Sequence, residues 1–544
     1  MSFLRHAWVP VVLWATLLLG CRDVPAQDSG GALPPEQAAY DVSYYGLDLR
    51  VDPAEQRLTG ELTVRAEVTD SLGVLVLNLD RRLDVTGAWP TGAPDRSLSV
   101  ERRAGGNERW ISLPAPRPAG DEIHVTVAYA GAPRVAPNPP WQGGVTWAET
   151  PEGAPWIATS GQTAGADLWW PVKDHPSAEP DSMDIALTVP DSLVAASNGT
   201  LRRVERASDS TRTYRWHVST SINTYGVTMN VAPYVALDTT YASTAGTSVP
   251  VTFYALPSDT AAARASLPDF LDHVRFLEET LGPYPFRADK YGIAQTPFLG
   301  MEHQTLIAYG HDFGPGGLGY DASFDALHFH ELAHEWYGNC LTVADWKDFW
   351  IHEGPATYLE ALYTEALHGA EAYHERIAYF RRQVANQAPI ARREATSAQS
   401  IYGRDVYFKG ALVLHTLRSM IGEAATEALL RRFVYPETRS GETACRHVDT
   451  DAFLRHAEAV AGRDLEAFAE TYLYQASLPR LDTARSETAL TLEWKNAADG
   501  FSVPVPVRID GTTQHVDMTG GHGRIEVPVR ADVDVDPTGW VLRQ

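Results

Sequence analysis

The stretch HFHELAHEWYGNCLTVADWKDFWIHEGPATYLE, residues 328–360, constrains this chain more than any other. Within it, His330-Glu331-Leu332-Ala333-His334 has the spacing H-E-x-x-H. On a helix, positions i and i+4 share a face, so both imidazoles can reach one ion. Glu331 sits one residue after His330 and can flank that ion without ligating it. A hydrolytic zinc site needs three protein ligands and an open position. Glu353 follows His334 after 18 intervening residues. Gly338-Asn339 can end the first helix and Gly354-Pro355 can begin a second, a return that brings Glu353 to the ion. An acidic residue at the start of a second helix favours the metal reading over a solvated polar helix. His328, two positions before His330, faces away and reads as a packing histidine. His352, beside Glu353, reads as structural.

Around this stretch the chain divides into three textures. From Tyr40 the pattern alternates: Leu47, Leu49 and Val51 against Asp48, Arg50 and Asp52, then Leu62, Val64, Ala66 and Val68 against polar residues. Period-2 alternation places one face on a core and the other in water, so residues 40–245 are expected to form an antiparallel β domain. Residues 246–475 carry long helical patterns, including one expected to begin near Ser266 with Pro268 in its first turn and to stop at Gly282-Pro283. Residues 476–544 alternate again, and Pro504 and Pro506 suggest an edge strand in a small β-sandwich. The expected class is multidomain α+β. A chain of 544 residues with 44% hydrophobic and 21% charged residues has ample material for several cores.

A formal net charge of −24 argues against nucleic acid as a partner. Residues 1–21 read as an export signal: Arg5, an apolar run from Ala7 to Leu19, then Leu18-Leu19-Gly20-Cys21, similar to the bacterial lipoprotein box. The expectation is acylation of Cys21, anchorage to a membrane outside the cytoplasm, and a flexible tether over 22–39. An oxidising compartment permits a disulfide between Cys340 and Cys445; two buried thiols fit the sequence equally.

HELAHEWYGN followed by WIHEGPATYLE resembles the aminopeptidase N family of gluzincin zinc metallopeptidases. ATSGQTAGADLWWPVKDHP (158–176), PFLGMEHQT (297–305), YFKGALVLHTLR (407–418) and VDVDPTGWVL near the end resemble further family segments, in the family's order. The resemblance implies a thermolysin-like catalytic domain over 246–475 and a short form without the large C-terminal helical domain. It implies one zinc ion per chain on His330, His334 and Glu353. Zinc lowers the pKa of bound water from about 16 toward 7, and Glu331 then acts as general base.

The resemblance further implies that the Tyr407 hydroxyl stabilises the oxyanion, and that Glu302 of Gly300-Met301-Glu302-His303-Gln304 binds the free α-amino group of a peptide. His303 replaces the family's usual Asn. Gln162 stands where a Gln or Glu contacts the same amino end, whereas Ser160 replaces a usual Gln. Glu360 fits either an outer partner of the site or a plain surface carboxylate. The expected activity is removal of N-terminal residues from peptides. An endopeptidase and a non-catalytic binding lipoprotein are the alternatives on the same fold.

Overall fold

The computed structural model describes residues 28–103, 106–320, 322–436 and 445–544. The export signal and Cys21 lie outside them. The tether expected over 22–39 is corrected from residue 28 onward, because its backbone finds partners on the body. Ser29 N donates to Thr163 O at 3.2 Å, and Ala398 N donates to Ser29 O at 2.9 Å. Pro35–Ala38 form one helical turn, with Gln37 buried.

The alternating segments build a seven-stranded sheet. Its order is Thr200–Arg206, Thr211–Val218, Ser182–Pro190, Tyr40–Asp52, Arg57–Val68, Glu122–Gly131 and Leu83–Pro90. Leu47, Leu49 and Val51 are buried while Asp48, Arg50 and Asp52 are exposed, as the period requires. The sheet is not wholly antiparallel: Tyr40–Asp52 and Ser182–Pro190 run parallel. More than a hundred residues separate these two strands, enough for the crossover that parallel pairing needs. Sheets of four and three strands complete this region.

A five-stranded sheet begins at Val235–Ala242, ahead of the expected boundary at 246. It continues through Ser248–Ala255, Tyr291–Gln295 and Ile307–Tyr309 to Gly300–Met301. Gly300–Met301 pairs antiparallel with Ile307–Tyr309, on the outer edge of the sheet.

Helix α1 spans Thr260–Leu281 and corrects the expected start near Ser266; Pro268 lies inside it. An interior proline costs about 3 kcal/mol. Here the strong helix formers of TAAARA precede it, and burial of Leu267, Phe270, Val274, Leu277 and Leu281 offsets the loss.

Three further helices carry the polar cluster: α2 at Ala326–Ala333, α3 at Trp350–His368 and α4 at Arg404–Ile421. Helix α2 closes before Gly338, and α3 opens at Trp350 rather than at Gly354. Glu353 therefore lies in the first turn of α3.

The last region holds two three-stranded sheets. Pro506 sits in Val505–Ile509, the central strand of one sheet and not an edge strand. The ladder tolerates it because pairing with Val533–Val535 begins only at Val507. Leu490, Leu492, Val505 and Val507 join the same apolar core as the helices. Among the described residues no helix is long and apolar enough to cross a membrane.

Candidate metal centre

Helix α2 starts where Asp325 accepts a hydrogen bond from His328 N, the N-cap that this residue type favours. Tyr309 fixes the same carboxylate from the sheet, donating its hydroxyl at 2.5 Å. His328 turns away from the cluster. Its ring stacks on Phe270 with centroids 3.7 Å apart, and its Nδ1 lies 2.8 Å from His273 Nδ1. His352 accepts a bond from Val343 N at 3.0 Å. Both are scaffold, as their positions in the sequence suggest.

His330, His334 and Glu353 converge and are all buried. The two Nε2 atoms are 3.1 Å apart, and each lies 3.4 Å from Glu353 Oε2. Each imidazole uses its other nitrogen outward. His330 Nδ1 bonds Glu360 Oε1 at 2.8 Å, and His334 Nδ1 bonds Tyr337 O at 2.9 Å. These outer bonds turn both Nε2 atoms to one point.

Two glycines bring α3 and α4 together. A Cβ on Gly410 would stand 2.8 Å from Gly354 Cα, and one on Gly354 would stand 3.0 Å from Gly410 Cα. This backbone contact sets Glu353 and Tyr407 at one site. The Tyr407 ring lies 6.0 Å from the His330 ring, and its hydroxyl is 3.1 Å from that of Tyr402.

The sheet edge supplies the facing wall. A Cβ on Gly300 would meet Glu331 Oε1 at 2.6 Å, so glycine makes room for that carboxylate. Met301 is buried beside it. Gln162 Nε2 donates to Glu302 Oε1 at 2.5 Å and to Glu353 Oε1 at 2.8 Å. One amide thus ties Glu302 to a residue of the convergent triad. Asn339, just past α2, donates to Glu302 O at 2.9 Å. His303 is fully buried, and neither ring nitrogen bonds a described residue.

Charge is concentrated here. Burial pushes the Glu331 carboxyl up to about 8, and burial also raises Glu302. Glu353 goes the other way: despite burial, the imidazoles of His334 and His330 hold it well below the usual carboxylate range. Burial lowers His330, but bonds to Glu353 and Glu360 carry it well above its ordinary value. Such a set of buried anions and imidazoles is suited to a cation.

A divalent metal fits the donor set. Tetrahedral zinc with bonds of about 2.0–2.2 Å to nitrogen and oxygen separates its ligand atoms by roughly 3.3–3.6 Å. The triad spans 3.1–3.4 Å. Glu353 Oε2 has no hydrogen-bond partner although it is buried, an expensive state for an anion unless a cation satisfies it.

The family model for the peptidase family M1 domain matches residues 276–472. Aminopeptidase N of Streptomyces lividans is 26% identical over 290 residues, 48% of this chain and 32% of that protein. Leucine aminopeptidase 2 of Eremothecium gossypii is 33% identical over 148 residues, 25% of this chain and 23% of that protein. The matches thus span a third or less of these two relatives. A mutant M1 zinc metallopeptidase from Deinococcus radiodurans, crystallised with a Tyr-Ser-Ala substrate, superposes with a TM-score of 0.67. It is 25% identical, and the match covers 83% of this chain and 99% of that one. The chain carries a peptidase family M1 domain over residues 276–472. That family implies zinc.

Several residues of this M1 site were not assigned from the sequence. Glu360 is buried and bonded to His330, so it is not a surface carboxylate. Tyr320 donates its hydroxyl to Glu360 Oε2, with the Arg376 guanidinium 4.1 Å above its ring. Cys340 and Cys445 form a disulfide, beside the paired strands Leu341–Val343 and Arg446–Val448. The spacing of Glu360, seven residues or two turns after Glu353, was the one available signal for the first of these.

Proposed function

We propose that this M1 chain is a zinc aminopeptidase that removes N-terminal residues from peptides, with one zinc held by His330, His334 and Glu353. The observation that carries the reading is the Gln162 amide shared between Glu302 and Glu353. It holds an amine-binding carboxylate within one side chain of the metal ligands. A substrate ammonium paired with Glu302 then leaves only the first peptide bond at the reacting position.

When bound, zinc supplies Lewis acidity, polarising a carbonyl and making water nucleophilic near neutral pH. The protein's own groups do the rest. Glu331 takes the proton of the attacking water and passes it to the leaving amine. The Tyr407 hydroxyl donates a hydrogen bond to the developing oxyanion. Glu302 and Gln162 hold the substrate's ammonium, and Gly300-Met301 offers the free edge of a sheet to its backbone.

Matched peptides with free and N-acetylated termini test this. The free peptides are expected to lose residues singly from the N-terminus, and the acetylated ones to be cleaved at least about tenfold more slowly. Equal cleavage would establish the endopeptidase alternative instead.

Anchorage through an acylated Cys21, outside the cytoplasm, is part of the proposal. It rests on the sequence of residues 1–21 alone. Mass spectrometry of the mature N-terminal peptide tests it: a diacylglyceryl-modified Cys21 is expected, and an unmodified N-terminus elsewhere would reject it.

A further inference from the structure

Beside the metal centre lies a cavity of about 1020 Å³ with an unusual lining for an acidic protein. Arg57, Arg82 and Arg134 face it, against the single carboxylate of Asp84. Val135 and Trp141 flank it and are 55% and 49% exposed.

The three guanidiniums are not equally engaged. Arg82 spends its Nη1 on Asp80, at 3.0 and 3.2 Å. Arg57 is exposed at the start of its strand. Arg134 Nη1 is buried and has no hydrogen-bond partner among the described residues. Arginine does not shed its proton, so this nitrogen of a charged group is withdrawn from water without a hydrogen-bond partner, with Asp80 and Asp167 acting on the group only as nearby charges. Burial, and then the like charge of Arg82, push Arg134 below the usual arginine value. A carboxylate answers both problems, supplying two coplanar acceptors and a negative charge.

The cavity shares walls with the metal centre. Thr163, on its lining, follows Gln162 in the chain and donates to Trp141 O at 3.3 Å. Tyr402, also on its lining, bonds Tyr407. A peptide held at Glu302 and passing between Gln162 and Tyr407 therefore reaches a basic, aromatic-edged recess.

We infer that this recess is a carboxylate-binding subsite for the peptide substrate, built on Arg134 with Arg57 and Arg82. The inference rests on the aminopeptidase reading. Its ligand is either the peptide's C-terminal carboxylate or an acidic side chain, since both present the same group.

The test compares kcat/KM across one peptide series on the zinc-loaded full chain. One arm pairs free-acid with amidated C-termini. The other uses amidated peptides with Asp or Asn at each of the first three positions. At least one contrast is expected to favour the carboxylate about tenfold, and the arm that shows it identifies the source. In Arg134→Ala, and in the exposed Arg57→Glu, that contrast is expected to fall toward one, with thermal melting confirming the fold. Hydrolysis of all members within twofold of one another overturns the subsite and leaves the aminopeptidase reading standing. A contrast unchanged in both variants also overturns it. Release of no N-terminal residue from any peptide removes both.

Discussion

Gly354 and Gly410 touch backbone to backbone, and this contact is what sets Glu353 beside Tyr407. Alanine at position 410 would ordinarily stabilise a helix by about 1 kcal/mol. Here its methyl group would meet Gly354 Cα at 2.8 Å, a distance that forces the helices apart. Gly410→Ala is expected to destabilise the fold by about 1–3 kcal/mol in denaturant titrations and to slow peptide hydrolysis. A more stable variant would show that the helices do not meet there.

Glu331 lies outside the metal triad, so chemistry and metal binding should separate at this position. Glu331→Gln is expected to lower kcat by about 10²–10⁴-fold while zinc content stays at the wild-type level. Turnover assays combined with elemental analysis read both. Loss of the metal together with activity would count against a general base at this position.

Glu360 reaches the ion only through His330. Removing its charge leaves the ligand in place but weakens the bond that orients its ring and lowers its basicity. Glu360→Gln is expected to weaken zinc about 10–100-fold in chelator competition, with Tyr320→Phe showing a smaller effect in the same direction. Wild-type affinity in both would reduce Glu360 to a packing residue.

Acid should destabilise the chain through histidines outside the metal triad. Burial pushes His273 and His415 down to about 3, against about 6.5 in an unfolded chain. Between those values the unfolded state binds more protons, so stability is complete above about pH 6.5 and falls as pH drops toward 3. His415 bonds the Tyr373 hydroxyl at 2.6 Å and Gly539 O at 3.0 Å, and glutamine can make both bonds. The melting temperature of His415→Gln is expected to decline less steeply than wild type between pH 6.5 and 4.5. Parallel curves would place the acid sensitivity elsewhere.

Local patterns were legible in the sequence wherever the physics is local. The i, i+4 spacing of His330 and His334 and the alternation of Leu47, Leu49 and Val51 each declare a face without reference to the rest of the chain. What escaped depends on contacts between distant segments. Gln162 reaches Glu302 and Glu353 across 140 and 191 residues, and only the family resemblance pointed to it. Pro268 marks a helix start by local rules, yet tertiary burial carries α1 through it. Pro506 suggests a sheet edge, but the missing donor matters only where a partner strand asks for it. The segment at 28–39 is rich in small and polar residues and reads as loose chain, while the backbone of Ser29 and Gly31 is bonded by residues more than a hundred positions away.

That last attachment reaches further than its length suggests. Gln399 N donates to Asp28 Oδ1 at 2.9 Å, Ala398 N to Ser29 O, and a Cβ on Gly30 would collide with the Trp346 ring. The helical turn so fastened, Ala398–Ile401, leads directly to Tyr402, the shared wall of the metal centre and the arginine-lined recess. Residues 28–30 are thus a hem sewn into the face that carries the metal centre. A chain trimmed to start at Tyr40 would keep the whole His330, His334 and Glu353 triad and lose the stitch that holds one wall of the cleft in place. Cutting at or beyond Asp28 is expected to loosen that wall.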